Sequence, residues 1–248
     1  MQYFNTFPRV FYVFGDQEAQ GTGQVSTELY QNISAYSDVI DEIADNVAFF
    51  AKYDIQEGTR SDQVSYDIYG TPIYHWTFAM MNEHLRKQGW PLTNAEINNV
   101  VKRDFPHFTY TTKDSLTGIH TVGEIVVGAD TGSRGRVLRR NLDLGQVTVA
   151  ATGGFRIGEA VTNVSLAVTT GTVTVSGASP EYLSAHHYED VDGNHVDIDP
   201  AVGPGAQLTE ITHIDRYIKD NDELKHIRVI KPELINEVVS MFKQAISS

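Results

Sequence analysis

The sequence predicts an α+β fold: a mixed body with a strand-helix-helix segment, interrupted by a small all-β insert module. Three observations carry this expectation. Residues 1–110 and 180–248 are rich in aromatics and mix helical with alternating apolar patterns. Residues 118–178 are rich in Gly, Val and Thr, with no Trp or Tyr and Phe155 as their one Phe. Asp192-Gly193 lies between two short alternating runs, a strong hairpin signal. The boundaries drawn from composition are 1–117, 118–178 and 179–248, with the strand-helix-helix segment at about 48–90.

Arg9 to Phe14 is β-branched and aromatic, stops at Gly15-Asp16 and reads as a strand. Gln17 to Gln24 reads as a loop. Ile33, Tyr36, Val39, Ile40, Ile43 and Val47 recur at helical spacing. Val47 to Ile55 suits a strand. Ser61 and Asp62 open a short helix that Gly70 ends. Thr71-Pro72 starts another that runs to about Asn82, with a capping hydroxyl and a proline in its first turn. Tyr69, Ile73, Trp76 and Met80 are at helix-like spacing and are expected to pack inward. Thr93 and Glu96 have capping-box spacing before Ile97, Val100 and Val101, and Pro106 closes that helix.

In the insert, Gly123-Glu124-Ile125-Val126 and Gly158-Glu159-Ala160-Val161 form an internal repeat 35 residues apart. Each copy is followed by a small polar turn and a second Val-containing strand, the pattern of a small barrel or sandwich. Beyond it, Tyr188 to Asp197 is the hairpin, Pro200 to Gly205 a loop and Leu224 to Ile230 a strand. Pro232 starts a terminal helix with Leu234, Ile235, Val238, Val239, Phe242 and Ile246 on one side.

Composition narrows function. With 19 Lys and Arg against 32 Asp and Glu, the net charge of −13 argues against nucleic acid and anionic membrane as main partners. The absence of Cys excludes thiolate zinc sites, Fe–S clusters and cysteine nucleophiles. No apolar run reaches membrane-spanning length, and the first residues carry no signal-peptide pattern. Phosphate-loop, dinucleotide, nucleophile-elbow and zinc-protease motifs are all missing, so the expectation is no enzyme, no cofactor and no metal.

Three clusters still invite chemistry. His186 to Asp199 gathers imidazoles and carboxylates, either as a metal site or as the polar face of a hairpin; a hydrolase using these carboxylates is the weakest alternative. Arg134, Arg136, Arg139 and Arg140 could clamp an anion or serve a salt-bridging face. Tyr66, Tyr69, Tyr74, His75, Trp76 and Phe78 could stack on sugar or form core.

Two resemblances follow from particular residues. Tyr53 to Thr59, Val64, Tyr69-Gly70 and Met80-Met81-Asn82 resemble a LysM module: strand, tight Gly turn, two short helices and a terminal Asn. Thr59 replaces the usual acidic residue, and Thr71-Pro72 compresses the spacer before the second helix. Further, Tyr53 to Arg60, Tyr69-Gly70-Thr71-Pro72-Ile73-Tyr74-His75-Trp76, Asn82 and Asn221 to Leu234 are similar to the baseplate wedge protein family of contractile-tailed, T-even-type phages, that of wedge subunit fifty-three. The hairpin at Tyr188 to Asp197 agrees, and Phe7-Pro8 agrees weakly. This resemblance covers about residues 1–110 and 181–248 and leaves out the insert. It implies a structural subunit of the virion tail baseplate, made in the host cytoplasm, that joins neighbouring wedges into a ring. The partners implied are other wedge subunits, including copies in adjacent wedges, with the sheath-initiating subunit a further candidate. Arg228, Val239, Phe242 and Ile246 are the expected partner-binding residues. The alternative is a LysM-type peptidoglycan-binding protein, with a groove beside Gly58 and Asn82.

Overall fold

The structure, a computed structural model, describes residues 9–14, 26–31, 48–164 and 171–247. It is α+β and divides into two compact units, residues 1–92 with 222–248 and residues 93–221. The helix expected over Ile33 to Val47 and the loop at Gln17 to Gln24 lie outside the described residues.

In the first unit, β1 (Arg9–Phe14) pairs antiparallel with β2 (Ser26–Gln31). β3 (Phe50–Asp54) follows, then α1 (Ser61–Tyr69). At its start the Arg60 N–H donates to Gln63 Oε1 (3.0 Å), and Gly70 ends it in the left-handed conformation, with φ +70°. A 3-10 turn, Pro72–Tyr74, precedes α2 (Trp76–Met81) and α3 (Glu83–Gln88). That turn corrects the single helix expected from Pro72 to Asn82. Three residues per turn shift the phase, so Ile73 is turned out to 53% exposure instead of joining the inward face. β13 (His226–Ile230) closes the unit by pairing antiparallel with β3, and α6 (Ile235–Ser247) follows it. The order strand, helix, helix, strand is thus completed by a strand more than 130 residues after α2.

Asn82 holds that long-range pairing. Its side chain is buried, donates to the carbonyls of Phe78 and Arg228 (both 2.8 Å) and accepts from the Arg228 N–H (2.8 Å). Asn82→Ala would leave three main-chain groups without this partner, and should cost about 2–4 kcal/mol. Urea denaturation followed by the fluorescence of Trp76 and Trp90 measures it. Unchanged stability would show that the strand needs no such clamp. Around the clamp, Tyr69 donates to the Ile230 carbonyl, Tyr74 to Asn236, and Trp76 lies 5.4 Å from the Phe242 ring.

The second unit opens with α4 (Asn94–Asp104), capped by Thr93 and Glu96 as expected. Six strands then close into an antiparallel barrel: β4 (Phe108–Thr112), β5 (Ile125–Gly128), β6 (Arg134–Asn141), β7 (Gln146–Ala151), β8 (Ala160–Asn163) and β9 (Thr172–Pro180). Around the wall the order is β4-β7-β6-β5-β8-β9, with β9 returning to β4. The insert boundary at 118 is therefore corrected. β4 precedes it, yet a barrel abolishes edges only when every strand is present, and β4 closes this one. Tyr110, Leu116 and the Val side chains at 126, 137, 147, 149, 161, 173 and 175 fill the interior.

The internal repeat is a two-fold relation in space. β5 pairs with β8 about the Val127–Thr162 pair. Ala129 N–H donates to the Ala160 carbonyl, and Val164 N–H to that of Ile125, both 2.9 Å. The Gly123 and Gly158 N–H groups donate to Val137 and Val175 (both 2.8 Å), and each following Glu accepts from the backbone three residues back. Both glycines take positive φ, +95° and +88°, which explains Gly at the same place in each copy.

The hairpin forms as expected. β10 (Ala185–Glu189) pairs with β11 (His195–Val196), and Asp190 accepts from the N–H groups of Asp192 and Asn194 across the turn. β12 (Thr209–Thr212) adds a third strand on the other side of β10. α5 (His213–Leu224) starts from reciprocal bonds between Thr212 and Asp215. Most of this segment, up to Asn221, belongs to the barrel's unit, which corrects the expectation that 179–248 completes the other body.

Candidate functional site

The terminal helix does not offer the surface expected of it. Ile235, Val238, Val239 and Phe242 are all buried, packed with Met81 and Ile230 and with Trp76 beside them. Val239 and Phe242 are thereby corrected from partner-binding to core residues. The apolar stripe of this helix has Trp76, Tyr74 and Phe50 to cover. The side chain of Ile246 lies outside the described residues. Arg228 remains exposed, on β13 opposite Lys52, with its guanidinium 5.0 Å from the Phe50 ring centre.

A groove of about 580 Å³ opens on the other side of α1, lined by Glu57, Gly58, Thr59, Asp62, Gln63, Tyr66, Asp67 and Pro72. Tyr66 is 62% exposed there. Of the aromatic cluster, Tyr66 presents its ring outward. Phe78 is fully buried, Tyr69 and Trp76 pack in the core, Tyr74 is tied to Asn236 and His75 bonds the Pro72 carbonyl. Gly58 borders the groove as expected. Asn82 does not, because its three hydrogen bonds are spent on Phe78 and Arg228.

The arginine island is divided. Arg134 and Arg136 are exposed on β6. A register shift between Val137 and Arg139 re-aims the strand. Arg139 then pairs with the buried Glu181 carboxylate and lies over Phe105, and Arg140 donates to the Leu116 carbonyl. Two of the four arginines therefore tie the unit together and form no anion clamp with the other two.

The cluster at 186–199 is brought together differently from a metal site. Among the described residues no group of three or more His, Asp and Glu side chains could hold a metal ion. Instead His187, His186 and His213 stand edge to face in a row, with centre separations of 5.1 and 5.4 Å, and His195 lies 5.0 Å beyond His187. His213 in turn stacks on Phe105 at 4.2 Å. It was not singled out in the sequence. The Thr212-x-x-Asp215 cap, with Ile214, Tyr217 and Ile218 behind it, is the signal that would have placed a helix there.

Two further buried polar groups went unnoticed. His120, in the left-handed region at φ +52°, bonds the Tyr110 hydroxyl and the Gly171 carbonyl inside the barrel. Glu159, also fully buried, accepts from the N–H groups of Arg156, Asp130 and Thr131 and from the Thr131 hydroxyl. Neither residue type is readable as buried from sequence alone, since both are ordinary on surfaces.

Among the described residues no helix is long and apolar enough to cross a membrane. Comparison of the chain with protein-family models gives no match, and comparison with curated proteins gives none.

Proposed function

We propose that the chain is a structural, non-catalytic subunit of a phage tail baseplate wedge, joining neighbouring wedges into the ring. The observation that supports this reading is the assembly of its motif-bearing segments into one unit. Tyr69-Gly70-Thr71-Pro72, Trp76 and Asn82 pack directly on residues 226–242, across more than 140 residues of intervening sequence. The exposed pair Lys52 and Arg228 on the β3–β13 sheet is the surface put forward for a neighbouring wedge subunit. Purification of the tagged chain from infected cells should bring wedge subunits with it. Arg228→Glu should keep the fold and lose at least tenfold of that recovery, about 1.4 kcal/mol or more. Recovery of the chain free of tail proteins would end the proposal.

The groove beside Gly58 supports a second reading, a LysM-type glycan site, because it pairs an exposed Tyr66 ring with carboxylates and amides suited to sugar hydroxyls. Sedimentation with insoluble peptidoglycan, abolished by Tyr66→Ala, would favour it over the wedge role.

A further inference from the structure

The histidine row has one consistent set of proton positions. Arg216 Nη1 lies 3.0 Å from His186 Nε2, and a guanidinium only donates, so that nitrogen is an acceptor without a proton. The proton of neutral His186 then sits on Nδ1 and is donated to His187 Nδ1 at 2.9 Å. His187 must carry its own proton on Nε2, which it donates to Glu189 Oε1 at 3.1 Å. Lys219 donates to the same carboxylate oxygen at 3.2 Å. The chain Arg216, His186, His187, Glu189, Lys219 thus begins and ends on α5 and runs through β10. A register shift between Ala185 and His187 lets two consecutive imidazoles meet, where a regular strand would point them to opposite faces.

Protonation of His186 is incompatible with this arrangement. A second proton, on His186 Nε2, would face the Arg216 guanidinium. The surrounding charges reinforce the conflict. From α5 come Arg216, Lys219 and Asp220; from β6, Arg139; from β10, Glu189; from the turn after β9, Glu181; from beyond β11, Asp197 near His195. Asp104 of α4 accepts from Tyr217, and Asp215 is engaged at the α5 cap. Arg139 and Lys219 already occupy Glu181 and Glu189, whereas only Asp220 favours a cationic His186. Burial and the neighbouring cations hold the pKa of His186 below its usual value, and push that of His213 down to about 4.

We infer that the row is an acid-operated latch: neutral, it ties the first turns of α5 to β10; protonated, it releases them. The sign follows from linkage. His186 and His213 bind protons more weakly latched than released, so the latch is at full strength above about pH 6.5, the ordinary histidine value, and weakens as pH falls below it. His213 contributes down to about pH 4. Each proton taken up multiplies the released population by up to about tenfold per pH unit within this window.

The test is hydrogen exchange of the full chain at pH 7.5 and pH 5, corrected for the intrinsic rate. Amides of residues 214–220 should lose at least about tenfold in protection while those of β7 stay within about threefold. His186→Gln and His213→Gln, which cannot titrate, should each flatten that pH dependence. Histidine resonances of the unsubstituted chain supply a measurement free of mutation: His186 should titrate below the ordinary histidine value and His213 at about pH 4. Titration of both rings near pH 6.5, with α5 equally protected at the two pH values, would overturn the latch whatever the variants do.

Discussion

Substituting Val239→Asp together with Phe242→Asp should prevent the first unit from folding. Both side chains are more than nine-tenths buried. Unpaired carboxylates there cost several kcal/mol each, against a total stability of about 5–15 kcal/mol for a typical domain. Phe242→Ala alone should cost roughly 3–5 kcal/mol, because the ring fills the space beside Trp76 and Val239. Circular dichroism and limited proteolysis provide the readout, with cleavage expected in 48–92 and 222–247. A double variant that is folded but no longer recovers tail proteins would return this helix to the interface.

Glu159→Ala should destabilise the barrel by roughly 3–5 kcal/mol, since it strips the partner from the N–H groups of Arg156, Asp130 and Thr131 at once. No small side chain can stand in from the facing strand. A Cβ on Gly128 would fall 2.6 Å from Glu159 Oε2, so the glycine is there to admit the carboxylate. Burial pushes the carboxyl's pKa up, but the donors from Arg156, Thr131 and Asp130 outweigh it and hold the group below the usual glutamate value. The folded state therefore binds this proton more weakly than the unfolded chain. The stabilisation is present above about pH 4.5 and is lost as pH falls below that. Thermal melts between pH 7 and pH 3 should show the wild-type barrel losing stability in that range and Glu159→Gln losing less. Parallel curves would remove Glu159 from the acid response.

Much of the second unit was legible because its rules are local. The Thr93 and Glu96 capping box, the Gly193 hairpin turn and the turns of the Gly-Glu repeat, where each Glu accepts from the N–H three residues back, depend on residues within five positions of one another, and each formed where its pattern lies. The boundary at 118 failed for the opposite reason. Phe108 to Thr112 reads equally well as a strand of either body, and only its pairing with Val149 and with Pro180 assigns it to the barrel. The α5 helix was missed although its cap was visible, because its apolar side rests on Ile214, Tyr217, Ile218 and Leu224 alone, a short signal in a segment dominated by charged residues.

For the candidate site the division is sharper. Sequence by itself determined the residue types: an aromatic strand-helix-helix segment, a terminal apolar stripe, an imidazole-rich hairpin, and a Val-rich module with repeated Gly turns. Tertiary structure alone decided what each does. A helical stripe shows that one side avoids water, but not whether the chain's own Trp76 or another protein covers it. A run of histidines shows available nitrogens, but the direction of the hydrogen bonds between them depends on Arg216 and Lys219 arriving from a helix some thirty residues away. Packing and hydrogen bonding across such separations depend on positions in space, and these exist only once β13 has paired with β3 and the barrel has closed.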